Sequence, residues 1–308
     1  MLQTLCAHFP LKKIMKNELL GAYEEVIFVK GKFEGTYSGA VVSTLLAAKK
    51  EGLIDGVLGI EKGKTIIHGK PKYAKTIEEI KKLSGMRHTI TPVLPILSEI
   101  PENEKIAVVG LPCHIKALSN LKKRKLLKHN IEYAISIACG TNFEPDKFYN
   151  LIQSSGIELD KVIFYTLRDT KMFEPYFLFI DKYGKHYEIP VSKTIRCIAK
   201  SCIDCEDYLG YNADISFGAL GAPKGWSLAF VRNKKGKRLI EVARKHGYIS
   251  VKKPKENFLS RAISKFYRCL PTKFYLYLAF KTRNPVGAEL MAKFKVYYLN
   301  PKLRKLLR

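Results

Sequence analysis

Alternation of apolar strands with helices over the first half of the sequence restricts the fold more than any other feature. The predicted strands are β-branched or apolar runs at 25–30, 54–60, 105–110 and 131–140, with 64–69 as a hairpin partner of the second run. The predicted helices are 38–52, capped by Ser38, then 76–85, a segment that opens near Pro112, and 145–155. This order predicts an α/β (α+β) fold, in which a mixed sheet has flanking helices and site residues collect at the strand ends.

The second half of the sequence has a different pattern. Three consecutive strand patterns between 161 and 192 predict an antiparallel strand segment. A strand at 213–218 then leads through a glycine-rich loop to another strand and a helix. From 253 onward the chain is basic and aromatic with helical spacing. We therefore expect one domain over residues 1–252 and a basic C-terminal helical extension over residues 253–308.

The 308-residue chain carries a net charge of +26, which suits nucleic acid, an anionic membrane surface, or acidic proteins and small molecules as partners. A Lys-rich surface without such a partner explains the charge equally well, because the basic residues are spread along the chain. Since no nucleic-acid motif is recognisable, a nucleic-acid-binding module is the lowest-ranked hypothesis. Peripheral contact of the basic C-terminal segment with lipid is not expected.

The cysteine content indicates the compartment. Seven cysteines at irregular spacing argue against a disulfide framework, and no secretory signal or apolar run of about 18 residues is visible. We expect a reducing cytoplasm, in which thiols are free for metal binding or catalysis. Two of the seven, Cys6 and Cys269, are assigned to ordinary apolar positions.

The remaining cysteines suggest a metal centre. Cys202 and Cys205 form a Cys-x-x-Cys pair that can bind one metal ion from a tight turn. A zinc site usually requires a second closely spaced pair of ligands. An iron–sulfur cluster takes four thiolates, which separated loops can supply. Cys113 and Cys139 each follow a predicted buried strand and are the natural third and fourth ligands, with Cys197 as a rival. Spacing alone favours a cluster slightly over zinc, and inert buried thiols remain an alternative.

Two glycine-rich turns and several polar residues suggest a second ligand. Residues at a helix start can receive a phosphate, and an open backbone loop can approach a dinucleotide. No Gly-x-Gly-x-x-Gly follows the first strand, which argues against a standard Rossmann site. Single positions also have structural explanations: a solvated helix position for Lys116, a core role for Trp226. The candidate cofactor-binding residues are Ser38, Gly39, Thr44, Arg87, Lys116, Gly218, Gly221 and Trp226.

Several of these segments occur together in the order of a known family. "SGAVVSTLLAAKKEGLIDGVL", "KLSGMRHTITPVL", "VVGLPCHIKAL", "IACGTNF" and "SCIDCEDYLGYNADISFGALGAPKGWSLAFVRNKKG" resemble the motifs of the beta subunits of coenzyme F420 hydrogenases and dehydrogenases. The resemblance covers about residues 30 to 240. The chain departs from the family's motifs at four positions: His88 for Tyr, Leu111 for Thr, His114 for Gln, and Thr141 for Glu.

The resemblance implies FAD, one 4Fe-4S cluster and the deazaflavin coenzyme F420 as a diffusible substrate. The four cluster ligands of the family fall on Cys113, Cys139, Cys202 and Cys205 of this sequence. The opening glycine turn, Arg87 and the later glycine loop would surround FAD. The implied function is an F420-dependent oxidoreductase beta subunit that exchanges electrons with a partner subunit. The alternative is a ferredoxin-linked FAD and iron–sulfur reductase of another substrate.

Overall fold

The computed structural model describes residues 20–35, 38–168, 176–203, 205, 207–219 and 221–255. The strands within these ranges are β1 Glu25–Gly31, β2 Gly56–Lys62, β3 Gly69–Ala74, β4 Ile106–Gly110, β5 Ile131–Ile137, β6 Val162–Arg168, β7 Tyr176–Asp181, β8 His186–Pro190, β9 Ile215–Gly218, β10 Ser227–Val231 and β11 Ile249–Lys252. The α-helices are α1 Ala40–Lys50, α2 Ile77–Lys82, α3 Pro112–Lys123, α4 Pro145–Ser154, α5 Lys200–Ile203 and α6 Lys234–Lys245. Two 3-10 segments, Leu94–Glu99 and Val191–Cys197, complete the set.

Eight strands form one mixed sheet in the order β11-β1-β10-β9-β5-β4-β2-β3. The strands β9, β5, β4 and β2 are neighbours in this order and run parallel, while β1, β3, β10 and β11 pair antiparallel. The predicted mixed sheet with flanking helices is therefore confirmed. Parallel neighbours bring the carboxyl ends of β4, β5 and β9 to one edge, where α/β sheets place their sites.

Helices cover both faces of this sheet. Along β4, Ala107 belongs to the apolar core that also contains residues of α1 and α6. Ile106 and Val108, on the other face of the same strand, pack with Ile115 and Leu118 of α3. Because alternate residues of a strand face opposite sides, α3 and α6 lie on opposite faces of the sheet.

The strands β6, β7 and β8 form a separate three-stranded antiparallel sheet, as the pattern between 161 and 192 predicted. Its core is aromatic: the rings of Phe143 and Phe148 stack with centroids 4.5 Å apart, and Phe177 meets both edge-on. These rings anchor the loop after β5 and helix α4 to the small sheet.

Two local predictions are wrong. Residues 64–68 form the connection rather than a strand, since the partner of β2 is β3, which begins at Gly69 and sets Val57 opposite Ala74. The N-cap of α1 is Gly39 rather than Ser38. Gly39 has a left-handed φ of 64°, and a Cβ there would lie 1.9 Å from the Phe33 carbonyl oxygen, so only glycine fits this turn.

The predicted helical extension over 253–308 lies, from residue 256 onward, outside the described residues. Within the described part of the chain, no helix is both long and apolar enough to cross a bilayer.

Candidate functional site

Two of the predicted ligands lie at the carboxyl edge of the central strands. Cys113 is in the first turn of α3, directly after β4, and Cys139 follows the end of β5 by two residues. β5 lies beside β4 on one side and β9 on the other, with Gly110 opposite Ser136 and Ile137 opposite Phe217. Adjacent parallel strands therefore bring these two cysteines to the same edge.

Backbone hydrogen bonds hold the Cys-x-x-Cys segment against the loop that carries Cys139. The N–H of Cys139 donates to the Tyr208 carbonyl at 3.0 Å, just after Cys205. On the other side of the pair, the N–H of Ala199 donates to the Asn142 carbonyl at 3.0 Å. The loop after β5 is thus fixed to the chain both before and after the Cys202–Cys205 pair.

The electrostatics of Cys113 connect it to the same pair. Burial of the sulfur raises the pKa of the Cys113 thiol, and the nearby charges of Cys202 and Cys205 raise that pKa further. Thiolates that repel one another in this way are stabilised when a cationic metal centre lies between them. The five described cysteines are thiols rather than disulfides, and four of them occur along this edge.

Among the described residues, no three His, Cys, Asp or Glu side chains are grouped closely enough to hold a single metal ion. The four thiols fit an iron–sulfur cluster in donor chemistry, because such a cluster binds cysteine sulfurs and spans more space than one zinc ion.

Cys197, the rival ligand, is more deeply buried than the other four described cysteines. It is buried in the apolar core of the small sheet, and its thiol donates to the Lys147 carbonyl at 3.4 Å. Burial raises the pKa of this thiol. These contacts suit a core cysteine.

Asp207 organises the turn that follows Cys205. Its buried carboxylate accepts hydrogen bonds from the backbone N–H groups of Leu209 at 3.1 Å, Gly210 at 2.6 Å and Tyr211 at 3.2 Å. The sequence patterns considered above did not single out this residue. An Asp three residues before a glycine, as Asp207 is before Gly210, is typical of the first position of a turn, so the signal was available.

The start of α1 meets the end of the glycine-rich loop, and we call this junction the glycine opening. The hydroxyls of Ser38 and Ser227 lie 2.7 Å apart, although 189 residues separate them. The Gly31 N–H donates to the Ser38 carbonyl at 2.8 Å, and a Cβ on Gly31 would lie 2.3 Å from the Gly39 carbonyl oxygen. The Ala40 N–H donates to the Ser38 hydroxyl at 3.3 Å, so the N–H groups that follow it in the first turn of α1 are the ones that could meet an anion.

Arg87 lies in a segment beside this opening. A Cβ on Gly35 would lie 3.2 Å from the Ser84 hydroxyl, which places the 84–87 turn close to the start of α1. The Arg87 Nη1 donates to the Met86 carbonyl at 2.8 Å, while its buried Nε has no hydrogen-bond partner among the described residues. Burial lowers the pKa of Arg87, and no described carboxylate pairs with it. A buried guanidinium without a counter-ion is suited to bind an anionic ligand.

The loop after β5 contacts both the cysteine segment and the glycine opening. The Ala138 N–H donates to the Phe217 carbonyl at 2.7 Å, and a Cβ on Gly218 would lie 3.0 Å from Ala138 Cβ. At its far end, the Phe143 N–H donates to the His88 carbonyl at 2.8 Å, next to Arg87. The thiol group and the glycine opening are therefore neighbouring parts of one region.

The remaining predicted cofactor-binding residues differ in burial and in their hydrogen bonds. Thr44 is fully buried, and its hydroxyl donates to the Ala40 carbonyl at 2.8 Å, so a ligand contact would require it to give up that bond. Gly221 has a left-handed φ of 77°. Trp226 is partly buried, with the Lys252 ammonium 4.6 Å from its ring centroid. Lys116 is exposed on α3.

Two further residues have structural roles. Asp214 accepts from the Ala134 N–H at 2.7 Å and from the Asn233 side chain at 2.8 Å, so it ties β9 to β5 and to α6. The Leu111 N–H donates to Nδ1 of His114 at 3.3 Å, so that ring caps the start of α3.

Comparisons with family models and with known proteins identify the same family. The family model for the N-terminal part of the coenzyme F420 hydrogenase/dehydrogenase beta subunit matches residues 29–98, and the model for its C-terminal part matches residues 103–257. The coenzyme F420 hydrogenase subunit beta of Methanococcus voltae is 28% identical over 242 residues, which are 75% of this chain and 81% of that protein.

Two other matches extend this comparison. The F420-dependent formate dehydrogenase subunit beta of Methanocaldococcus jannaschii is 26% identical over 227 residues, 71% of this chain and 58% of that protein. A chain of the F420-reducing NiFe hydrogenase complex from Methanosarcina barkeri superposes with a TM-score of 0.72 at 24% identity, covering 80% of this chain and 89% of that one. The likeness to that structure shows a shared fold.

Proposed function

This chain belongs to the coenzyme F420 hydrogenase/dehydrogenase beta subunit family, and from that premise we propose that it is an F420-dependent oxidoreductase subunit that works with a partner subunit. The observation that carries the proposal is the junction made by the loop after β5, which fixes Cys139 beside the Cys202–Cys205 segment and also contacts the glycine opening. Its relatives are named as subunits of F420 hydrogenases and dehydrogenases, which supports a role inside a complex.

The proposed cofactors are FAD and one 4Fe-4S cluster. Bound together, they would supply hydride exchange with F420 and single-electron exchange with a partner protein. Cys113, Cys139, Cys202 and Cys205 would hold the cluster. The donor chemistry of these four thiols and their position along one sheet edge support this assignment.

The glycine opening is the proposed FAD site. The N–H groups of the first turn of α1 that follow Ala40 would receive the diphosphate, because a helix N-terminus carries partial positive charge. Arg87 would supply a full positive charge from the neighbouring turn. Gly218 and Gly221 lie at the start of the loop that ends at Ser227, and glycines there would let a ligand approach the backbone closely.

The remaining task of the protein is to hold the reacting rings at contact distance and to keep water out. The buried aromatic cluster of the small sheet lies behind the loop after β5 and makes that loop rigid. Rigid support of this kind keeps binding groups in place during turnover.

The test is F420H2 oxidation by anaerobically purified protein reconstituted with iron, sulfide and FAD, with a one-electron dye as acceptor. We expect dye reduction that requires F420H2 and is absent from protein prepared without FAD. Failure of fully loaded protein to oxidise F420H2 would contradict the proposal. Reduction of its flavin by ferredoxin alone would then support a ferredoxin-linked reductase of another substrate.

A further inference from the structure

The helix α3 and the turn after it carry a strong positive charge that begins beside the candidate cluster. The sequence has no Asp or Glu between Glu104 and Glu132, and seven Lys or Arg lie in that interval. Five of them lie on α3 or in the turn at its end and are exposed: Lys116, Lys122, Lys123, Arg124 and Lys125. We call these five residues the α3 basic face.

The α3 basic face is not neutralised by the protein itself. None of its side chains forms an ion pair with a carboxylate of the described residues. Two basic residues of α6 do find partners: Lys235 pairs with Glu132 at 3.5 Å, and Lys245 pairs with Glu51 at 2.8 Å. Five unpaired cations on α3 and the turn after it produce a local potential that attracts an acidic surface.

The orientation of the face is fixed by packing. Ile115 and Leu118 are buried against the sheet, so Lys116 and Lys123, seven residues apart on the other side of α3, face solvent. Cys113 is an exposed residue at the start of the helix, and a helix of twelve residues extends about 18 Å from that point. Leu126, which is 65% exposed, adds an apolar contact at the far end. Polar and charged residues around an apolar contact are typical of a protein–protein interface.

We propose that the α3 basic face docks an acidic protein electron carrier, so that the carrier's redox centre approaches the cluster held at Cys113. This inference rests on the proposed function, because it requires the cluster. The step in question is the transfer of one electron, in which the reduced centre is oxidised as the other is reduced and no bond or proton changes. The face specifies a carrier whose own redox centre is surrounded by Asp and Glu.

The experiment measures binding rather than turnover. The test variant replaces Lys122, Lys123 and Arg124 with Gln, and the control variant replaces Lys237, Arg238 and Arg244 of α6 with Gln. Both variants lose three charges from exposed helical positions, but α6 lies on the opposite face of the sheet. The probe is an oxidised acidic iron–sulfur ferredoxin, titrated calorimetrically against cofactor-loaded protein at low and physiological ionic strength.

We expect the wild-type Kd to rise with salt, the α3 variant to bind about tenfold or more weakly at low salt, and the control variant to stay within about twofold of wild type. Equal weakening in both variants, or in neither, would overturn the proposal. Loss of binding to single-stranded RNA or to anionic phospholipid vesicles in the α3 variant, with ferredoxin binding unchanged, would overturn it in favour of those partners.

The same preparations separate this inference from the proposed function. Iron, flavin and F420H2 oxidation with dye are measured on each protein. Wild-type protein that is loaded and active with dye, but binds ferredoxin no better than the α3 variant, refutes the docking face alone. Wild-type protein that takes up neither cofactor refutes the proposed function and the docking inference with it.

Discussion

The backbone N–H of Cys139 lies 3.0 Å from the carbonyl oxygen of Tyr208 and donates to it. This bond joins a loop at the end of one central strand to a segment that begins about 60 residues later, and it places Cys139 beside the turn after Cys205. The stability of that turn should therefore determine how well a cluster is retained.

Replacing Asp207 with Ala should lower both iron retention and stability. The carboxylate accepts three backbone N–H groups in the turn after Cys205, so its loss should cost about 2 kcal/mol of unfolding free energy. Asp181 is the matched control, because its buried carboxylate accepts from the Tyr183 and Lys185 N–H groups and from the Tyr187 hydroxyl. Urea unfolding and iron analysis measure the two effects. Equal iron loss in Asp181→Ala would show a general stability effect and contradict the local role of Asp207.

Replacing Arg87 with Met should weaken FAD binding by about tenfold or more, since the proposed site loses a positive charge. The same change should cost no more than about 1 kcal/mol of stability, because the guanidinium has no described counter-ion and only one bond, to the Met86 carbonyl, is lost. Arg244→Met, at an exposed position of α6, is the control. Flavin fluorescence titration measures the Kd, and an unchanged Kd in Arg87→Met would remove Arg87 from the site.

Replacing Gly39 with Ala should destabilise the protein far more than replacing Gly52 with Ala. Both glycines have a left-handed φ, 64° and 69°, for which a side chain costs about 1–2 kcal/mol. A Cβ at Gly39 would also collide with the Phe33 carbonyl oxygen, whereas the space around Gly52 is open. Chemical denaturation should show an additional loss of about 2 kcal/mol or more for Gly39→Ala. Equal losses would mean that the turn before α1 relaxes easily.

Stability should fall as the pH drops below 6.5, because of His88. Burial lowers the pKa of His88 to about 4, below the value of about 6.5 that His has in an unfolded chain. The unfolded state therefore binds more protons between these values, so stability is complete above pH 6.5 and declines toward pH 4, by about 3 kcal/mol at most. The His88→Gln variant should lose this part of the pH dependence in denaturation curves. His186→Gln, at an exposed position of β8, should keep it, and identical curves for both variants would contradict the assignment.

Local patterns in the sequence predicted most of the fold. The β-branched runs predicted the strands of the parallel centre, and the helical pattern at 76–85 predicted α2, whose N-cap Thr76 forms a capping box with Glu79, because these signals act within a few residues. The strand partner of β2 was misplaced, since 64–69 and Gly69–Ala74 both have extended character and only pairing along the sheet selects between them. The N-cap at Gly39 was missed because the requirement for glycine comes from the Phe33 carbonyl oxygen, with which a Cβ at position 39 would collide. The Ser38 side chain gives no sign of that contact.

The candidate site was predicted less completely. The positions of Cys113 and Cys139 follow from the rule that sites form at strand ends, and the structure places both at that edge. The contact of Ser38 with Ser227 spans 189 residues, so no local pattern contains it. The roles of the cysteines as ligands, and of Arg87 and the glycines as FAD contacts, stay predictions.

Metal and flavin analysis of single cysteine variants tests the central claim most directly. Anaerobically prepared wild-type protein should hold about four iron atoms, four sulfides and one FAD per chain. Cys113→Ser, Cys139→Ser, Cys202→Ser and Cys205→Ser should each lose most of the iron, while Cys197→Ser should retain it. Wild-type protein without iron, or iron that persists in the four variants and disappears with Cys197→Ser, would contradict the account.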